Sequence, residues 1–166
     1  MERGIIRILG IDPGLRATGW GIVEACGAEL AYIASGCIRP ASEQPIARRL
    51  CEIHAGLSLV ISKFGPGEAA IEETFVNRDP QSALKLGQAR GICLAVPALC
   101  GLRVAEYAAN LVKKTLTGTG HAAKEQIAIM VGVLLPGSEA QSSDAADALA
   151  VAITHCRLCR AASKTG

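Results

Sequence analysis

The chain has 166 residues, of which 50% are hydrophobic and 19% are charged, and its formal net charge is +2 at pH 7. This length suits one domain and excludes two full domains that face each other across a cleft. The apolar composition excludes an intrinsically disordered chain. A charge this close to zero neither indicates nor excludes a nucleic-acid-binding protein, because local basic patches matter more than the total.

The cysteines and the apolar runs indicate the cellular compartment. Seven cysteines are scattered along the chain, and this odd number is not typical of a disulfide framework. Cys51 and Cys93 lie in apolar segments and are expected to be buried, reduced thiols, which suits a reducing cytoplasm. Cys156 and Cys159 have no second pair with which to form a zinc site. The apolar run Ile5–Ile11 lacks a signal-peptide cleavage site, and no run reaches the ~18 apolar residues of a membrane span. We expect a cytoplasmic protein without membrane association.

The first part of the chain predicts three strands and a helix. Segments rich in β-branched residues at Ile5–Ile11, Gly19–Val23 and Ala31–Arg39 are separated by short turns, which favours an antiparallel meander. A helix is expected to start at Ser42–Pro45, because apolar residues then recur at helical spacing as far as Phe64. A Gly-Pro-Gly turn closes that helix.

The remaining part alternates strands and helices, with a polar loop predicted at Asn77–Pro80. The predicted elements are, in order, a strand at Ala69–Glu72, a helix at Ser82–Val96, a strand at Leu102–Glu106, and helices at Ala109–Thr115, Ala123–Leu134 and Ser142–Arg160. This order predicts an α/β fold with a mixed five-stranded sheet and helices on both faces. We expect one domain over residues 1–160 and a short tail over residues 161–166.

Four carboxylates stand at the ends of predicted elements. Asp12 follows the first strand, Glu72 ends the fourth, and Asp144 and Asp147 share one face of the last helix. If they converge, they repel one another and their pKa values rise unless a cation neutralises them. Hard oxygen ligands suit Mg²⁺ or Mn²⁺, and two such ions would stabilise the attacking and leaving oxygens of phosphodiester cleavage. Taken singly, Asp12 is also explained as a turn residue, and Asp144 and Asp147 as acids at a helix start. Glu72 at the end of a core strand favours the functional interpretation.

Four segments resemble the RuvC family of Holliday-junction resolvases, in the same order along the chain. They are GIDPGLRATGWGIV (10–23), AIEETFVNRDPQSALKLGQARG (70–91), EYAANLVKKTLTGTGHAAKEQI (106–127) and DAADALAVAITH (144–155). The resemblance implies a ribonuclease H-like fold, which agrees with the order of elements. It further implies a homodimeric crossover junction endodeoxyribonuclease that cuts two strands of a four-way DNA junction in recombination and repair.

The resemblance also assigns the site and its partners. The family's four catalytic, metal-binding acids correspond to Asp12, Glu72, Asp144 and Asp147, and Glu73 is expected to support Glu72. Two Mg²⁺ ions per subunit are implied, for which Mn²⁺ would substitute, and cleavage is expected to leave 5′-phosphate ends. A branch-migration motor complex of the RuvA/RuvB type is the implied protein partner.

Contacts to DNA are implied at four positions. Phe75 corresponds to an aromatic residue that stacks on an unpaired base, and Arg78 lies in the polar loop that follows it. Lys113 and Lys124 correspond to functional lysines. Without the resemblance, Phe75 would be interpreted as packing under the loop, and the lysines as a solvated surface.

Several features keep an ordinary structural interpretation. His121 and His155 are expected to be polar or core histidines without a functional role. Gly87 and Gly91 lie one helical turn apart, which favours close packing within the chain and, less strongly, a contact between subunits.

Three other functions are compatible with parts of the pattern. An actin-like sugar kinase or ATPase also carries an Asp-Gly turn after a strand, but it needs two such halves and a longer chain. A DNA-structure binder without catalytic activity would not need all four acids. Another ribonuclease H-like nuclease, acting on RNA–DNA hybrids or other DNA, would share the same metal chemistry.

Overall fold

The computed structural model describes residues 4–74, 79–138 and 142–162. The strands in these ranges are β1 (Ile6–Asp12), β2 (Thr18–Cys26), β3 (Glu29–Ile38), β4 (Glu68–Glu73) and β5 (Arg103–Ala108). The helices are α1 (Ile46–Phe64), α2 (Pro80–Leu99), α3 (Ala109–Thr117), α4 (Lys124–Leu134) and α5 (Ser143–Ala162).

The strands form one mixed sheet in the order β3-β2-β1-β4-β5. β2 is antiparallel to both β1 and β3, whereas β4 is parallel to both β1 and β5. The predicted meander followed by parallel crossovers is therefore confirmed. Ile11 of β1 pairs with Ile71 of β4, so the residues that follow them, Asp12 and Glu72, lie at the same edge of the sheet.

The sheet buries a separate hydrophobic core on each face, because consecutive side chains of a strand point to opposite sides. Leu9 of β1 belongs to a core with Ile53 of α1 and Cys93 of α2. Its neighbour Ile8 belongs to the other core, together with Val112 of α3 and Leu149 of α5. Helices thus cover both faces, as predicted.

α5 lies against the middle of the sheet, where it contacts β1, β2, β3 and β4. Residues 145–156 of this helix are all buried except Asp147. A Cβ atom added to Gly10 of β1 would lie 2.0 Å from the carbonyl oxygen of Ala148. One added to Gly19 of β2 would lie 2.0 Å from the carbonyl oxygen of Asp144. The two glycines therefore determine how closely α5 approaches β1 and β2.

Local capping explains why α2 begins two residues before its predicted start. α2 starts at Pro80 rather than at the predicted Ser82, since Asp79 accepts hydrogen bonds from two backbone N–H groups of the first turn. Proline suits the first helical position, where its missing N–H is not needed. Residues 75–78, which include the first half of the predicted loop at Asn77–Pro80, lie outside the described residues.

The prediction that Cys51 is buried is wrong, whereas Cys93 is buried as expected. α1 turns only one of its faces toward the sheet, and that face carries Ile53 and Leu57. Cys51 lies two residues before Ile53, on the opposite side of the helix. None of the helices in the described part of the chain is both long and apolar enough to cross a bilayer.

Candidate active site

Four acidic side chains converge where β1 and β4 end. Asp12 is the last residue of β1, Glu72 is the penultimate residue of β4, and Asp144 and Asp147 lie in the first turns of α5. The charges of the other three acids all act on Asp12. Asp12, Glu72 and Asp147 line one cleft of about 340 Å³. The structure therefore brings together the four acids that the sequence singled out.

Burial and repulsion keep a proton on Asp12. Burial, the charge of Glu72, a hydrogen bond with Glu72 and the charges of the other two acids together raise the pKa of Asp12 to about 9, and burial contributes most. The pKa of Glu72 is also raised by burial, but its hydrogen bond with Asp12 lowers it. In the absence of a cation, Asp12 donates this hydrogen bond and the Glu72 carboxylate accepts it.

Basic side chains offset the charge of the two acids on α5. Lys124 Nζ lies 3.3 Å from Asp147 Oδ2, and this carboxylate raises the pKa of Lys124. Burial raises the pKa of Asp147, while the charge of Lys124 opposes that shift. For the other acid of α5, an Arg39 guanidinium nitrogen lies 3.9 Å from Asp144 Oδ2.

The donor set fits a divalent cation with a preference for oxygen ligands. Carboxylates are the ligands that Mg²⁺ and Mn²⁺ prefer, and a cation that displaced the proton of Asp12 would lower the pKa of that side chain. Thr74, which lines the same cleft, has a buried Oγ1 without a hydrogen-bond partner among the described residues. A buried hydroxyl of this kind indicates a position for a water or a ligand oxygen.

Both lysines singled out from the sequence lie at this cleft. Lys113 of α3 and Lys124 of α4 line it, and both lower the pKa of Glu72. The neighbouring Lys114 is exposed. The two helices thus place positive charge opposite the acids, where phosphate oxygens would need it.

A second basic groove lies on the other side of Asp144, and sequence analysis did not single it out. It has a volume of about 430 Å³ and is lined by Arg16, Arg49 and Lys85, among others. Arg49 donates a hydrogen bond of 3.1 Å to the carbonyl oxygen of Leu15, while its buried Nε has no partner among the described residues. These cations come from three separate segments, so no local spacing could have indicated them.

Two further residues lie beside the acids, and sequence analysis did not single them out. Arg90 of α2 donates a hydrogen bond of 2.6 Å to the carbonyl oxygen of Glu72 and pairs with Glu106 of β5. It therefore holds the end of β4 in place. Cys37 of β3 lies 4.0 Å from Asp144 Oδ2, and burial raises the pKa of its thiol.

Phe75 and Arg78, which were predicted to contact DNA, lie outside the described residues. The described chain reaches Thr74, two residues past Glu72, and resumes at Asp79, the N-cap of α2. In the sequence, both residues therefore lie between Thr74, which lines the acidic cleft, and the N-cap of α2.

The sheet order, the helices on both faces, and the acids at the ends of β1 and β4 and the start of α5 define a nuclease of the ribonuclease H-like class. The family model described as "Crossover junction endodeoxyribonuclease RuvC" matches residues 8–155. The chain belongs to the RuvC family.

Individual relatives agree with this assignment. The chain is 64% identical to crossover junction endodeoxyribonuclease RuvC of Methylocella silvestris over 158 residues, which are 95% of this chain and 90% of that protein. It is 65% identical to the Beijerinckia indica protein of the same name over 155 residues, 93% of this chain and 89% of the relative. The structure of T. thermophilus RuvC in complex with a Holliday junction substrate superposes with a TM-score of 0.87 at 36% identity, covering 95% of this chain and 96% of that one.

Proposed function

We propose that the chain resolves four-way DNA junctions by metal-dependent hydrolysis of phosphodiester bonds, in recombination and DNA repair. The observation that carries this proposal is the convergence of four acids at one sheet edge in a chain of the RuvC family. The structural relative bound to a Holliday junction supports junction DNA as the class of substrate. The family assignment disfavours the actin-like ATPase. The match also covers 90% of the RuvC of Methylocella silvestris, so the two chains are similar in length.

Within this proposal, Asp12, Glu72, Asp144 and Asp147 hold two Mg²⁺ ions, for which Mn²⁺ would substitute. Ions bound there would supply an activated water and would stabilise the charge that develops on the attacking and leaving oxygens. Lys113 and Lys124 neutralise phosphate oxygens from the opposite wall of the cleft. Hydrolysis leaves 5′-phosphate ends, so each nick is a substrate for ligation.

The experiment that tests the function compares three DNA substrates with Mg²⁺ present. A mobile four-way junction should be cut at paired, symmetric positions, while a plain duplex and an RNA–DNA hybrid should be left intact. Preferred cleavage of the hybrid would instead support another ribonuclease H-like nuclease. Ca²⁺ should support binding with little cleavage, because its looser coordination suits the in-line geometry poorly.

The same assay tests the acids. Asp12→Asn, Glu72→Gln, Asp144→Asn and Asp147→Asn should each abolish cleavage while junction binding stays nearly intact. If a variant keeps near-wild-type cleavage, the substituted residue is not part of the catalytic site. Rapid cleavage in the presence of EDTA would contradict the requirement for a metal.

Phe75 and Arg78 are proposed to contact the junction from the segment between Glu72 and α2. A stacked base contributes roughly 1–3 kcal/mol whatever its identity, so Phe75→Ala should cut slowly and Phe75→Trp should keep much of the activity. If Phe75 is instead a core residue, the alanine variant should lose about 3–5 kcal/mol of stability. Thermal unfolding and single-turnover cleavage of the same variant separate the two outcomes.

The proposed assembly is a homodimer of nuclease domains spanning residues 1–160, since a two-fold-symmetric junction calls for a two-fold-symmetric enzyme.

A branch-migration motor of the RuvA/RuvB type is the proposed protein partner, and action on chromosomal DNA would place the protein in the cytoplasm. Co-purification of the motor subunits on an immobilised junction, with and without this chain, tests that partnership.

A further inference from the structure

A second cluster of potential metal ligands lies at the opposite end of β4 from the acidic cleft. Glu68 begins β4, whereas Glu72 lies near its end. His155 lies eight residues beyond Asp147 in α5, a separation of about 12 Å along a helix. One turn further on, Cys159 lies on the same helix face as His155. The cluster is thus separate from the candidate active site.

The three side chains point toward one another. One ligand atom from each of Glu68, His155 and Cys159 lies within 4.8 Å of the other two. Cys159 Sγ is 3.6 Å from His155 Nε2, and Glu68 Oε2 is 2.6 Å from the same nitrogen. The imidazole is nearly buried, with 5% of its side chain exposed, and the Glu68 side chain is 17% exposed.

A tetrahedral metal fits these side chains after two adjustments. A zinc ion with ordinary Zn–N and Zn–S bonds holds its nitrogen and sulfur ligands about 3.5 Å apart, and Cys159 Sγ lies 3.6 Å from His155 Nε2. The sulfur also lies 3.8 Å from Nδ1, so the exposed Cys159 side chain must rotate away from Nδ1 to share a metal with Nε2. The Glu68 oxygen needs to withdraw by roughly 0.7 Å to reach the separation of about 3.3 Å that nitrogen and oxygen ligands keep. Rotation of the glutamate side chain provides such a movement.

A neighbouring tyrosine already holds the imidazole in position. The Tyr107 hydroxyl lies 2.8 Å from His155 Nδ1, and the two rings pack edge to face with centroids 5.7 Å apart. Histidine ligands of metals commonly hydrogen-bond through their second ring nitrogen, which fixes the ring and its tautomer. When Nδ1–H donates to Tyr107, the lone pair of Nε2 is left for a metal.

We propose that Glu68, His155 and Cys159 form a zinc site that joins the C-terminal part of α5 to the start of β4. The mixed sulfur, nitrogen and oxygen ligands favour Zn²⁺ over Mg²⁺ or Ca²⁺, which take oxygen ligands. Three protein ligands leave a fourth position for water. The absence of a second Cys-x-x-Cys pair in the sequence does not bear on this site, because only Cys159 of the pair belongs to it.

Cobalt substitution tests the proposal without any measurement of DNA cleavage. Reduced protein should bind Co²⁺ with a thiolate-to-cobalt charge-transfer band that saturates at one equivalent when excess Mg²⁺ occupies the acidic cleft, and Zn²⁺ should displace this cobalt. Cys159→Ser should abolish the band and weaken Zn²⁺ binding by at least about 100-fold, since even a group that only orients a ligand is worth 10–100-fold. Tyr107→Phe should weaken Zn²⁺ binding by about 10–100-fold, and unchanged affinity would overturn its positioning role.

Cys37→Ser is the matched control, because Cys37 lies outside the proposed zinc site and 4.0 Å from a carboxylate oxygen of Asp144. This variant should keep both the band and the Zn²⁺ affinity. A band that survives in Cys159→Ser but disappears in Cys37→Ser would show that the thiolate ligand is Cys37, beside Asp144, and would overturn the proposal. The absence of any charge-transfer band in the wild-type protein would overturn it too. With excess Mg²⁺ in the acidic cleft, Zn²⁺ should also raise the melting temperature of the wild-type protein and of Cys37→Ser more than that of Cys159→Ser.

Discussion

The ionisation of Asp12 makes the stability of the folded chain depend on pH. Burial and the neighbouring acids raise its pKa to about 9, against about 3.9 for an aspartate in an unfolded chain. The folded state therefore binds this proton more tightly than the unfolded state does. Stability from this source is complete below about pH 4 and declines as the pH rises toward about 9.

Removal of the titrating group should remove that dependence. Between about pH 5 and pH 8, the melting temperature of the metal-free wild-type protein should fall further than that of Asp12→Asn, which cannot ionise at this position. Mg²⁺ should stabilise the wild-type protein more at pH 8 than at pH 5, because the ion competes with the proton. Thermal unfolding followed by circular dichroism measures both effects, and equal pH dependence in the two proteins would contradict the assignment.

The basic residues should be distinguishable by which step they affect. Lys113→Ala and Lys124→Ala should slow cleavage, because these lysines share the cleft with the acids. Arg16→Ala and Lys85→Ala in the second groove should mainly weaken junction binding. Removal of one phosphate-binding side chain should flatten the dependence of log K on log salt by about one unit.

Lys63→Ala provides the control for these variants. Lys63 is exposed near the end of α1, fourteen residues from Arg49 and thus about 21 Å along the helix. Titrations of a labelled junction at several salt concentrations give the slopes. If all four alanine variants have the same slope as the wild-type protein, these residues do not contact phosphate and are ordinary solvated surface residues.

The packing of α5 against the sheet determines how far Asp144 lies from Asp12. Asp12 pairs with Gly19 across β1 and β2, and Gly19 faces the backbone of Asp144 on α5. A side chain at this position meets a carbonyl group rather than a flexible side-chain end. Helix and sheet would have to separate, and Asp144 would move with the helix.

Gly19→Ala should therefore lower both stability and activity. Overpacking of this kind typically costs 1–3 kcal/mol, and we expect cleavage to fall strongly because Asp144 is displaced from Asp12. The control is Gly132→Ala in α4, where an added Cβ meets no atom within 4 Å and a gain of about 0.4–1 kcal/mol is expected. Chemical denaturation and cleavage assays of both variants check this, and a fully stable, active Gly19→Ala would contradict the close approach of α5.

One face of α2 is exposed to solvent in the described part of the chain. Leu84, Gly87, Gly91 and Ala95 follow one another at helical spacing and are all exposed. An added Cβ at either glycine meets nothing within 4 Å in the described part of the chain. Packing within the chain, the interpretation favoured from the sequence, is therefore not what requires these glycines. Close contact with the same helix of a second subunit would explain them.

A charged substitution on this face should separate the subunits without unfolding them. We expect the double variant Gly87→Glu, Gly91→Glu to sediment as a monomer, to keep its helical content and to lose paired cleavage of the junction. Gly132→Glu, on the exposed side of α4, should behave as the wild-type protein does. A double variant that remains dimeric would place the subunit interface elsewhere, and a monomeric wild-type protein would contradict the homodimer itself.

Local pattern was sufficient to predict the strands and the helices. Periodicity of two or of 3.6 residues is a property of neighbouring residues, so it is visible without tertiary contacts. The apolar stripe from Ile46 to Phe64 predicted α1, and Gly65 at its end adopts the left-handed conformation, with φ of 57°, that closes a helix. The order of strands and crossovers then restricted the fold to one class.

Tertiary structure alone decided which distant residues meet. Arg16, Arg49 and Lys85 share a groove, and Glu68 meets His155 across 87 residues of sequence. No periodicity links such positions, because their contact depends on strand order, on register and on the distance between α5 and the sheet. The exposure of Cys51 has the same origin, since the composition of a segment is local whereas the face that a helix buries depends on what packs against it.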